Sequence, residues 1–458
     1  NAGPASGQTN AGTSSQWAIR SYYGSANYDF DDRFLLGSSI RYDGTSRLPA
    51  NSRWGLFYSF SGGWRISREA FLRDVRWLDD WKIRASWGKL GNQNIGMYPY
   101  QAVLTNSNYA FAGNVATGFT ARTLTDPSLT WETTRVFDMG TDITVLQNKL
   151  NISADYFNKY TFNILRSSQV PLWLGLNAPT INNGAVRNTG FELNVQYKDH
   201  VGKDIQYYVG AGFQHFKNRL VSFGNPEIGS NTIMENGQPI NSYYLYVREG
   251  IFQSQDEINK SAKQTPTPTP GDIKYKDVNN DGVIDASDRT VVSGMYPDFE
   301  YSFNTGANWK GFDISVQLYG SHGMKLYMDK WGTDPFTQGS MPTTDWLNAW
   351  TPAHPSATMP KVYVGFNYPK ITGLASTYYL RDGSFMRIKN VQLGYSIPTK
   401  SIKGIRSVRV YFSGDNVALF SSLKGADPER SNSRSGGWYG FVNYPQNRTF
   451  TFGASIQF

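Results

Sequence analysis

The sequence predicts an all-β protein, a transmembrane antiparallel β-barrel with long extracellular loops. Apolar and polar residues alternate with a period of two over long stretches, as in the closing segment 449–458. Most of these stretches are near or above the roughly 9–11 residues that a tilted strand needs to cross a bilayer. The connections between them alternate between short and long, which is typical of outer-membrane barrels.

The alternation defines the strands one by one. In the last of them, Phe450, Phe452 and Ile456 belong to the apolar face, and the residues between them are small or polar. The apolar phase slips between Ile388 and Val391, which predicts a β-bulge near Asn390. About thirteen strands result, near 17–29, 33–44, 53–66, 80–91, 130–146, 149–166, 187–200, 204–220, 298–309, 312–328, 384–398, 406–418 and 447–458.

The lengths of the connections assign the two ends of the barrel. Short connections belong at the periplasmic end and long ones at the extracellular end. The connection 66–80 is somewhat longer than the other short ones, and its residues Glu69, Ala70 and Leu72 suit a helical turn. Among the long connections are 92–129, 167–186, 221–297, 329–383 and 419–446.

The number of strands carries a further expectation. The last strand of a barrel ends at the periplasm, and closed bacterial barrels have an even number of strands. An odd count that begins with a loop-like stretch, 1–16, predicts that the first strands of the barrel lie outside this chain. Residues 1–458 would then be the C-terminal portion of the barrel.

Composition narrows the class of protein. The mean hydropathy of -0.47 excludes a bundle of membrane-spanning helices, whereas a barrel needs only every second residue to be apolar. The aromatic content of 15% suits the aromatic girdles of a barrel, although a secreted β-sandwich can be equally rich. There are no cysteines, and the net charge of +8 is spread without a basic run, so we expect no nucleic-acid partner.

Nine segments along the chain form a recognisable series. They are WKIRASWG at 81–88, GNQ at 91–93, DPSLTWETT at 126–134, NTGFEL at 188–193, WLNAWTP at 346–352, FMRIKNVQLGY at 385–395, SGDNV at 413–417, GADPE at 425–429 and FTFGASIQF at 450–458. In this order they resemble the SusC/RagA type of TonB-dependent outer-membrane transporter, over nearly the whole chain.

The resemblance implies a barrel of about 22 strands, an N-terminal plug, and the location of a Gram-negative outer-membrane protein among membrane lipids. It also implies import of nutrients such as oligosaccharides or peptides, a SusD-like lipoprotein partner, contact with the TonB complex through the missing N-terminal region, and recognition of the terminal Phe458 by the barrel-insertion machinery.

The long loop 221–297 contains a calcium-loop-like motif, DVNNDGVIDASD, at 277–288. Oxygen-bearing side chains at its first, third and fifth positions, a glycine at the sixth and a carboxylate at the twelfth match the spacing that encloses Ca²⁺. Asp285 would act through water, and the final ligand is an Asp instead of the usual Glu. The alternative is an exposed turn that holds no ion. The predicted ligands of a structural Ca²⁺ are Asp277, Asn279, Asp281, Asp288 and the carbonyl of Val283.

Other candidate functional residues lie in the loops and along the polar faces of the strands. Trp331, Trp346 and Trp350 are candidates to contact substrate or a lid, with packing of the loops as the alternative. The four histidines have no spacing typical of a metal site or a catalytic pair, so we expect no enzymatic activity. Charged residues predicted to face the lumen are Asp138, Asp142, Asp155, Glu192 and Asp313.

Two further functions fit the same pattern. The barrel would serve as an adhesin or as a secretion or assembly component if the full-length protein had no plug and no TonB coupling. A secreted β-rich enzyme acting on glycans would also alternate apolar and polar residues, but it would stay soluble without detergent. The strictly one-sided long loops favour the barrel.

Overall fold

The computed structural model describes residues 12–328, 341–355, 358–363, 374–399, 404–423, 426–429 and 446–458. Almost all of its regular structure is β. The strands are β1 (Ile19–Phe30), β2 (Phe34–Thr45), β3 (Trp54–Arg65), β4 (Leu78–Asn92), β5 (Leu104–Phe111), β6 (Asn114–Ala121), β7 (Glu132–Val145), β8 (Leu150–Phe162), β9 (Leu165–Ser167), β10 (Thr180–Asn182), β11 (Ala185–Val201), β12 (Ile205–Ser222), β13 (Glu227–Ile228), β14 (Thr232–Met234), β15 (Ser242–Tyr246), β16 (Arg248–Ile251), β17 (Lys263–Gln264), β18 (Ile273–Tyr275), β19 (Val283–Ile284), β20 (Arg289–Val292), β21 (Phe299–Trp309), β22 (Phe312–His322), β23 (Lys325–Tyr327), β24 (Leu380–Asp382), β25 (Phe385–Ile397), β26 (Ser407–Ser421) and β27 (Thr449–Gln457).

Within the described ranges, helical structure is limited to short segments. One α-helix, α1 (Gln255–Lys260), is capped by the Ser254 side chain, which accepts a hydrogen bond from the Glu257 backbone N–H. Among the described residues, no helix has both the length and the apolar character required to cross a membrane. Short 3₁₀ helices lie at Ile66–Arg68, Leu172–Leu174, Ala286–Asp288, Thr344–Asn348 and Thr377–Tyr379.

Thirteen long strands form one antiparallel sheet, which confirms the predicted fold class and strand number. Each strand pairs with its neighbours along the chain once the loop strands are set aside, in the order β1-β2-β3-β4-β7-β8-β11-β12-β21-β22-β25-β26-β27. This up-and-down order is the meander expected of a membrane barrel, because a hairpin is the shortest way to connect antiparallel strands.

The two faces of this sheet differ as the alternation predicts. On β27, Phe450 is 56% exposed, Phe452 85% and Ile456 51%, and they share one face with exposed apolar residues of neighbouring strands. Such a continuous apolar face would be a liability in water, but it is the face that a bilayer covers. The opposite face carries the polar and charged residues of each strand.

Tight turns and one bulge set the register of the sheet. The β21–β22 hairpin turns through Lys310 (φ 46°) and Gly311 (φ 91°), the left-handed conformations that a two-residue hairpin loop requires. The predicted bulge is confirmed: the β22–β25 pairing shifts between Gln317 and Leu318, so that Lys389 is the additional residue on β25.

The apolar core lies in the loops at one end of the sheet. Because one face of the barrel strands meets lipid and the other meets the hydrated lumen, the sheet itself encloses little apolar interior. The largest core cluster instead joins short loop strands, including the four-stranded sheet β13-β14-β15-β20. Its buried members are Tyr243, Leu245, Tyr246, Ile273, Tyr275, Ile284, Met295, Tyr327, Tyr378 and Tyr379.

Two local predictions were wrong, and one element was missed. The predicted strand 312–328 leaves the barrel sheet after His322, because Gly323 (φ 84°) turns the chain and β23 then pairs with β24 in the loops. The connection 66–80 contains a 3₁₀ helix only at Ile66–Arg68, before the residues predicted to be helical. The hairpin β5–β6 within the loop 92–129 was not predicted, since its polar and apolar residues alternate weakly.

Candidate functional site

The alternation of residues along each strand defines the inner wall of the barrel: one set of alternate residues is polar (the polar phase) and the other is apolar (the apolar phase). On β4, Lys82, Arg84 and Ser86 belong to the polar phase, and Ile83 and Trp87 to the apolar one. The antiparallel register places residues of like phase side by side, so charges from successive strands meet on the inner wall.

A five-residue charge cluster occupies the inner wall across β4, β7 and β8. The Arg84 guanidinium lies 2.6 Å from Asp155 Oδ1, 3.0 Å from Asp142 Oδ2 and 3.5 Å from Asp138 Oδ1. The Lys82 ammonium lies 3.0 Å from Asp142 Oδ2. Three carboxylates therefore face two cations, with one negative charge in excess.

The other predicted lumen charges are placed differently. Asp313 on β22 accepts two hydrogen bonds from Arg409 on β26, at 2.7 and 2.6 Å, across the intervening β25. Glu192 lies in register with Asp155 on the neighbouring strand. The cationic partners Arg84 and Arg409 were missed from sequence, although each belongs to the polar phase of its strand and a lumen carboxylate favours a nearby cation.

A buried ion pair fixes a loop segment to the wall near the extracellular end of β25. Arg387 is 3% exposed, and its guanidinium lies 2.5 Å from Asp427 Oδ1 and 2.8 Å from Glu429 Oε2. Lys389 pairs with the same Glu429. The described part of the loop after β26, 426–429, is thus held against the inner side of the barrel.

Two of the three candidate loop tryptophans are packed instead of open to solvent. Trp346 is 6% exposed and Trp350 is 7% exposed. The Trp350 indole N–H donates to Gln253 Oε1 at 2.8 Å, which joins two long loops. Trp331 lies outside the described residues. In this conformation, Trp346 and Trp350 offer no open platform for a ligand.

The loop 277–288 forms a tight turn whose side chains point back to its own backbone. The Gly282 N–H donates to Asp277 Oδ2 at 2.9 Å, and the Val283 N–H donates to Asp281 Oδ1 at 2.9 Å. Gly282 has a φ of 84°, the left-handed region that favours glycine. The Asn279 amide donates to Asp281 Oδ2 at 2.8 Å.

A capping box closes the second half of this loop. Asp288 is fully buried, and its two oxygens accept the backbone N–H groups of Val278 and Asp285 at 2.7 and 2.8 Å. The Ser287 hydroxyl and backbone N–H donate to Asp285 at 2.6 and 2.8 Å, and these hydrogen bonds hold the pKa of the Asp285 carboxyl below its usual range.

The fit of this loop to a cation is mixed. Asp277 Oδ1 is buried and accepts no hydrogen bond from the described residues, which leaves one oxygen available to an ion. However, no three His, Cys, Asp or Glu side chains within the described ranges are arranged so that they could hold a metal. The carboxylates of Asp281 and Asp288 accept backbone N–H groups, although each retains further lone pairs.

The hairpin β5–β6 presents an uncharged surface at the extracellular end. Segment 104–121 contains no Asp, Glu, Lys or Arg. Tyr109 is 72% exposed, Phe111 70%, Val115 73% and Phe119 70%. An isolated two-stranded hairpin is marginally stable in water, and so much exposed apolar surface on a loop is typical of an interaction site.

An antiparallel sheet with an apolar exterior, a charged inner wall and folded loops at one end defines the chain as part of an outer-membrane β-barrel. Residues 1–417 match the model of the family described as TonB dependent receptor-like, beta-barrel. The chain belongs to this family.

Individual relatives agree with the family. The chain is 29% identical to TonB-dependent receptor P3 of Formosa agariphila, over 96% of this chain and 45% of the relative. It is 28% identical to TonB-dependent receptor SusC of Bacteroides thetaiotaomicron, over 96% of this chain and 43% of SusC. The structure of the RagAB peptide transporter is similar with a TM-score of 0.82 and 26% identity, over 96% of this chain and 47% of that chain. The chain thus spans about half the length of the relatives it matches.

Proposed function

We propose that the chain forms the C-terminal wall and the extracellular loops of a transporter that imports oligosaccharides or peptides across the outer membrane. The observation that carries this proposal is the charged inner wall, where three strands converge on Arg84. A transport path needs a polar interior, and paired charges on the inner wall give a plug a surface to rest against. The resemblance to SusC and to the RagAB peptide transporter supports the same function.

The energy-coupling parts belong to the proposal as well. A plug and a segment that contacts the TonB complex would lie in the portion of the relatives that this chain does not match. The excess carboxylate charge beside Arg84 would then face a cationic surface of the plug. No step of this function requires covalent catalysis, so we propose a transporter and not an enzyme.

Uptake in cells tests the function directly. A strain that lacks the gene would be complemented with the full-length protein and given defined mixtures of peptides or of oligosaccharides. We expect depletion of one mixture from the medium, restored by complementation and abolished when the TonB complex is removed. Depletion that is independent of the TonB complex, or no depletion together with retained cell-surface binding, would instead support the adhesin or assembly function.

A surface lipoprotein of the SusD-like kind is the proposed partner at the extracellular end. The uncharged hairpin 104–121 supports this partner, because its exposed aromatic and aliphatic side chains would be covered by a protein lid. We expect a lipoprotein to co-purify with the full-length protein and to be lost from the variant Tyr109→Ser/Phe111→Ser/Phe119→Ser. The control Leu172→Ser/Trp173→Ser removes side chains that are 98% and 83% exposed on another loop. Equal loss from both variants would contradict a role for the hairpin.

Calcium binding by the loop 277–288 is a second proposal, supported by the unpartnered Asp277 Oδ1 and by the ligand spacing. The ion would pin the loop structurally, held by Asp277, Asn279, Asp281, Asp288 and the Val283 carbonyl. Metal analysis of the wild type and of Asp281→Ala tests it, with the exposed Asp74→Ala as control. We expect the loss of about one calcium per chain only in Asp281→Ala. Identical calcium content in all three proteins would exclude the loop as a site.

Recognition of Phe458 by the barrel-insertion machinery is proposed on the resemblance of the closing strand. Phe458 follows β27 and is 79% exposed. Deletion of Phe458 should lower the amount of full-length protein in the outer-membrane fraction, whereas Gln457→Ala should not. An unchanged amount after the deletion would contradict this role.

A further inference from the structure

The connection between β3 and β4, residues 66–77, is the one extended turn at the periplasmic end among the described connections. Its backbone makes successive tight turns, with Leu72 N–H donating to Glu69 O at 3.0 Å and Val75 N–H donating to Leu72 O at 3.1 Å. The β21–β22 turn at the same end needs only Lys310 and Gly311. Reversal of the chain therefore does not explain the length of this turn.

Hydrogen bonds hold the turn on the lipid-facing side of the barrel. The Glu69 carboxylate accepts the Trp64 indole N–H at 2.9 Å, and the Arg33 guanidinium lies 2.7 Å away. Trp64 belongs to the apolar phase of β3, and its ring stacks on Phe34 of β2 with ring centroids 6.4 Å apart. The anchor of the turn thus lies at the edge of the apolar exterior.

The tip of the turn exposes two large apolar rings. Phe71 is 70% exposed and Trp77 is 61% exposed. The strands on both sides of this connection, β2 and β7, are present in the sheet, and neither β3 nor β4 is an edge strand. An unpaired edge of β3 or β4 therefore does not account for the exposure of these rings.

Two guanidinium groups accompany the exposed rings. Arg73 and Arg76 are exposed and form no hydrogen bond or ion pair with the rest of the described chain. With Asp74, the segment 71–77 carries one net positive charge. A guanidinium binds phosphate through two parallel hydrogen bonds, and aromatic rings favour the boundary between headgroups and acyl chains.

We propose that segment 71–77 is a phospholipid-binding foot, in which Arg73 and Arg76 bind headgroup phosphates of the periplasmic leaflet while Phe71 and Trp77 enter the acyl boundary. Lipid is the occupant because the segment continues the apolar exterior of the barrel at the level where that face ends. Its charge also complements the phosphate layer that lies there. This inference depends on the location in the outer membrane and not on the transported substrate.

Native mass spectrometry of the full-length protein tests the foot. The delipidated protein would be titrated with phosphatidylethanolamine or with phosphatidylglycerol. We expect Arg73→Ser/Arg76→Ser to weaken binding of the tightest phospholipid by at least about fivefold, as the loss of two charge-assisted contacts implies. Weakening with both lipids assigns the phosphate group, and weakening with phosphatidylglycerol alone assigns an anionic headgroup. Unchanged binding of both lipids would overturn the proposal.

Two further measurements separate lipid binding from general damage. The control Lys203→Ser removes an exposed cation from another periplasmic turn, and it should leave lipid binding unchanged. A photoreactive phenylalanine analogue at position 71, in vesicles of phosphatidylethanolamine and phosphatidylglycerol, should add the mass of a phospholipid to the protein. Cross-links only to protein would show that a polypeptide covers the foot and would overturn the proposal.

Discussion

Replacement of Arg84 by Met removes the centre of the charge cluster on the inner wall while keeping most of the side-chain volume. The guanidinium is the group closest to three carboxylates, at 2.6 Å from Asp155, 3.0 Å from Asp142 and 3.5 Å from Asp138. In the variant, Lys82 alone would neutralise one of them. The remaining carboxylates would repel each other and lose their strongest hydrogen-bond donor.

The burial of the cluster sets the magnitude of the loss. The Arg84 side chain is 32% exposed, and its partners Asp155 and Asp142 are 15% and 34% exposed. Fully exposed ion pairs contribute about 0–1 kcal/mol, and removal of one partner from a buried pair costs about 3–5 kcal/mol. For a cluster between these limits, we expect Arg84→Met to lower the free energy of unfolding by about 2 kcal/mol.

Urea unfolding of the full-length protein, followed by the heat-modifiable mobility of the folded barrel, measures this loss. Lys82→Met is the matched control, because Lys82 makes a single contact with Asp142 at 3.0 Å and should cost about 1 kcal/mol or less. Equal midpoints for Arg84→Met and the wild type, or equal losses for the two variants, would refute the view that Arg84 organises the wall.

Three other predictions concern the strands and the loops. Gly320→Ala should destabilise the barrel by about 1–3 kcal/mol in the same urea assay, because an added Cβ would meet a tyrosine ring and a backbone carbonyl at 2.8 Å; an unchanged midpoint would show that the wall adapts. Trp350→Ala should cost the loop core about 3–5 kcal/mol and make the loops sensitive to limited proteolysis, whereas Trp173→Ala, at a site that is 83% exposed, should not. Since the pKa of Asp285 is lowered by folding, its contribution to the loop is present above the unfolded value of about 3.9 and is lost as the pH falls through the lower, folded value. Hydrogen exchange of this segment, corrected for intrinsic rates, should therefore accelerate below about pH 4 in the wild type. In Asp285→Ala, exchange should already be fast at neutral pH. Equal exchange in both proteins would contradict a stabilising role of the Asp285 cap.

Much of the fold could be predicted because strand structure is determined locally. In β27, every second residue is apolar, so the strand and both of its faces follow from a period of two. The apolar alternation slips by one residue before Asn390, and this slip revealed the bulge, since one additional residue inverts every side chain that follows it. The long loops were harder, because the hairpin β5–β6 and the strand β23 owe their conformation to particular turns and partners.

The candidate sites were also predictable only in part: the sequence identified residues, but not the residues that they contact. The polar phase of β7 and β8 is enough to identify Asp138, Asp142 and Asp155 as lumen residues, but it does not identify Arg84 as their shared partner. The loop tryptophan Trp350 was recognisable as a candidate, yet its neighbours come from a distant loop and only the folded chain buries it. Motifs indicate residue types, whereas partners depend on which strands become neighbours.

The sequence by itself determined the class of protein, because alternation, strand length and one-sided loops are local properties that a bilayer imposes on every strand. Tertiary structure alone decided which charges meet. Arg84 and Asp155 are far apart in the chain, and they are brought to 2.6 Å by the register of β4, β7 and β8. A shift of one residue in either pairing would turn one of these charges towards lipid, since side chains alternate between the two faces of a strand.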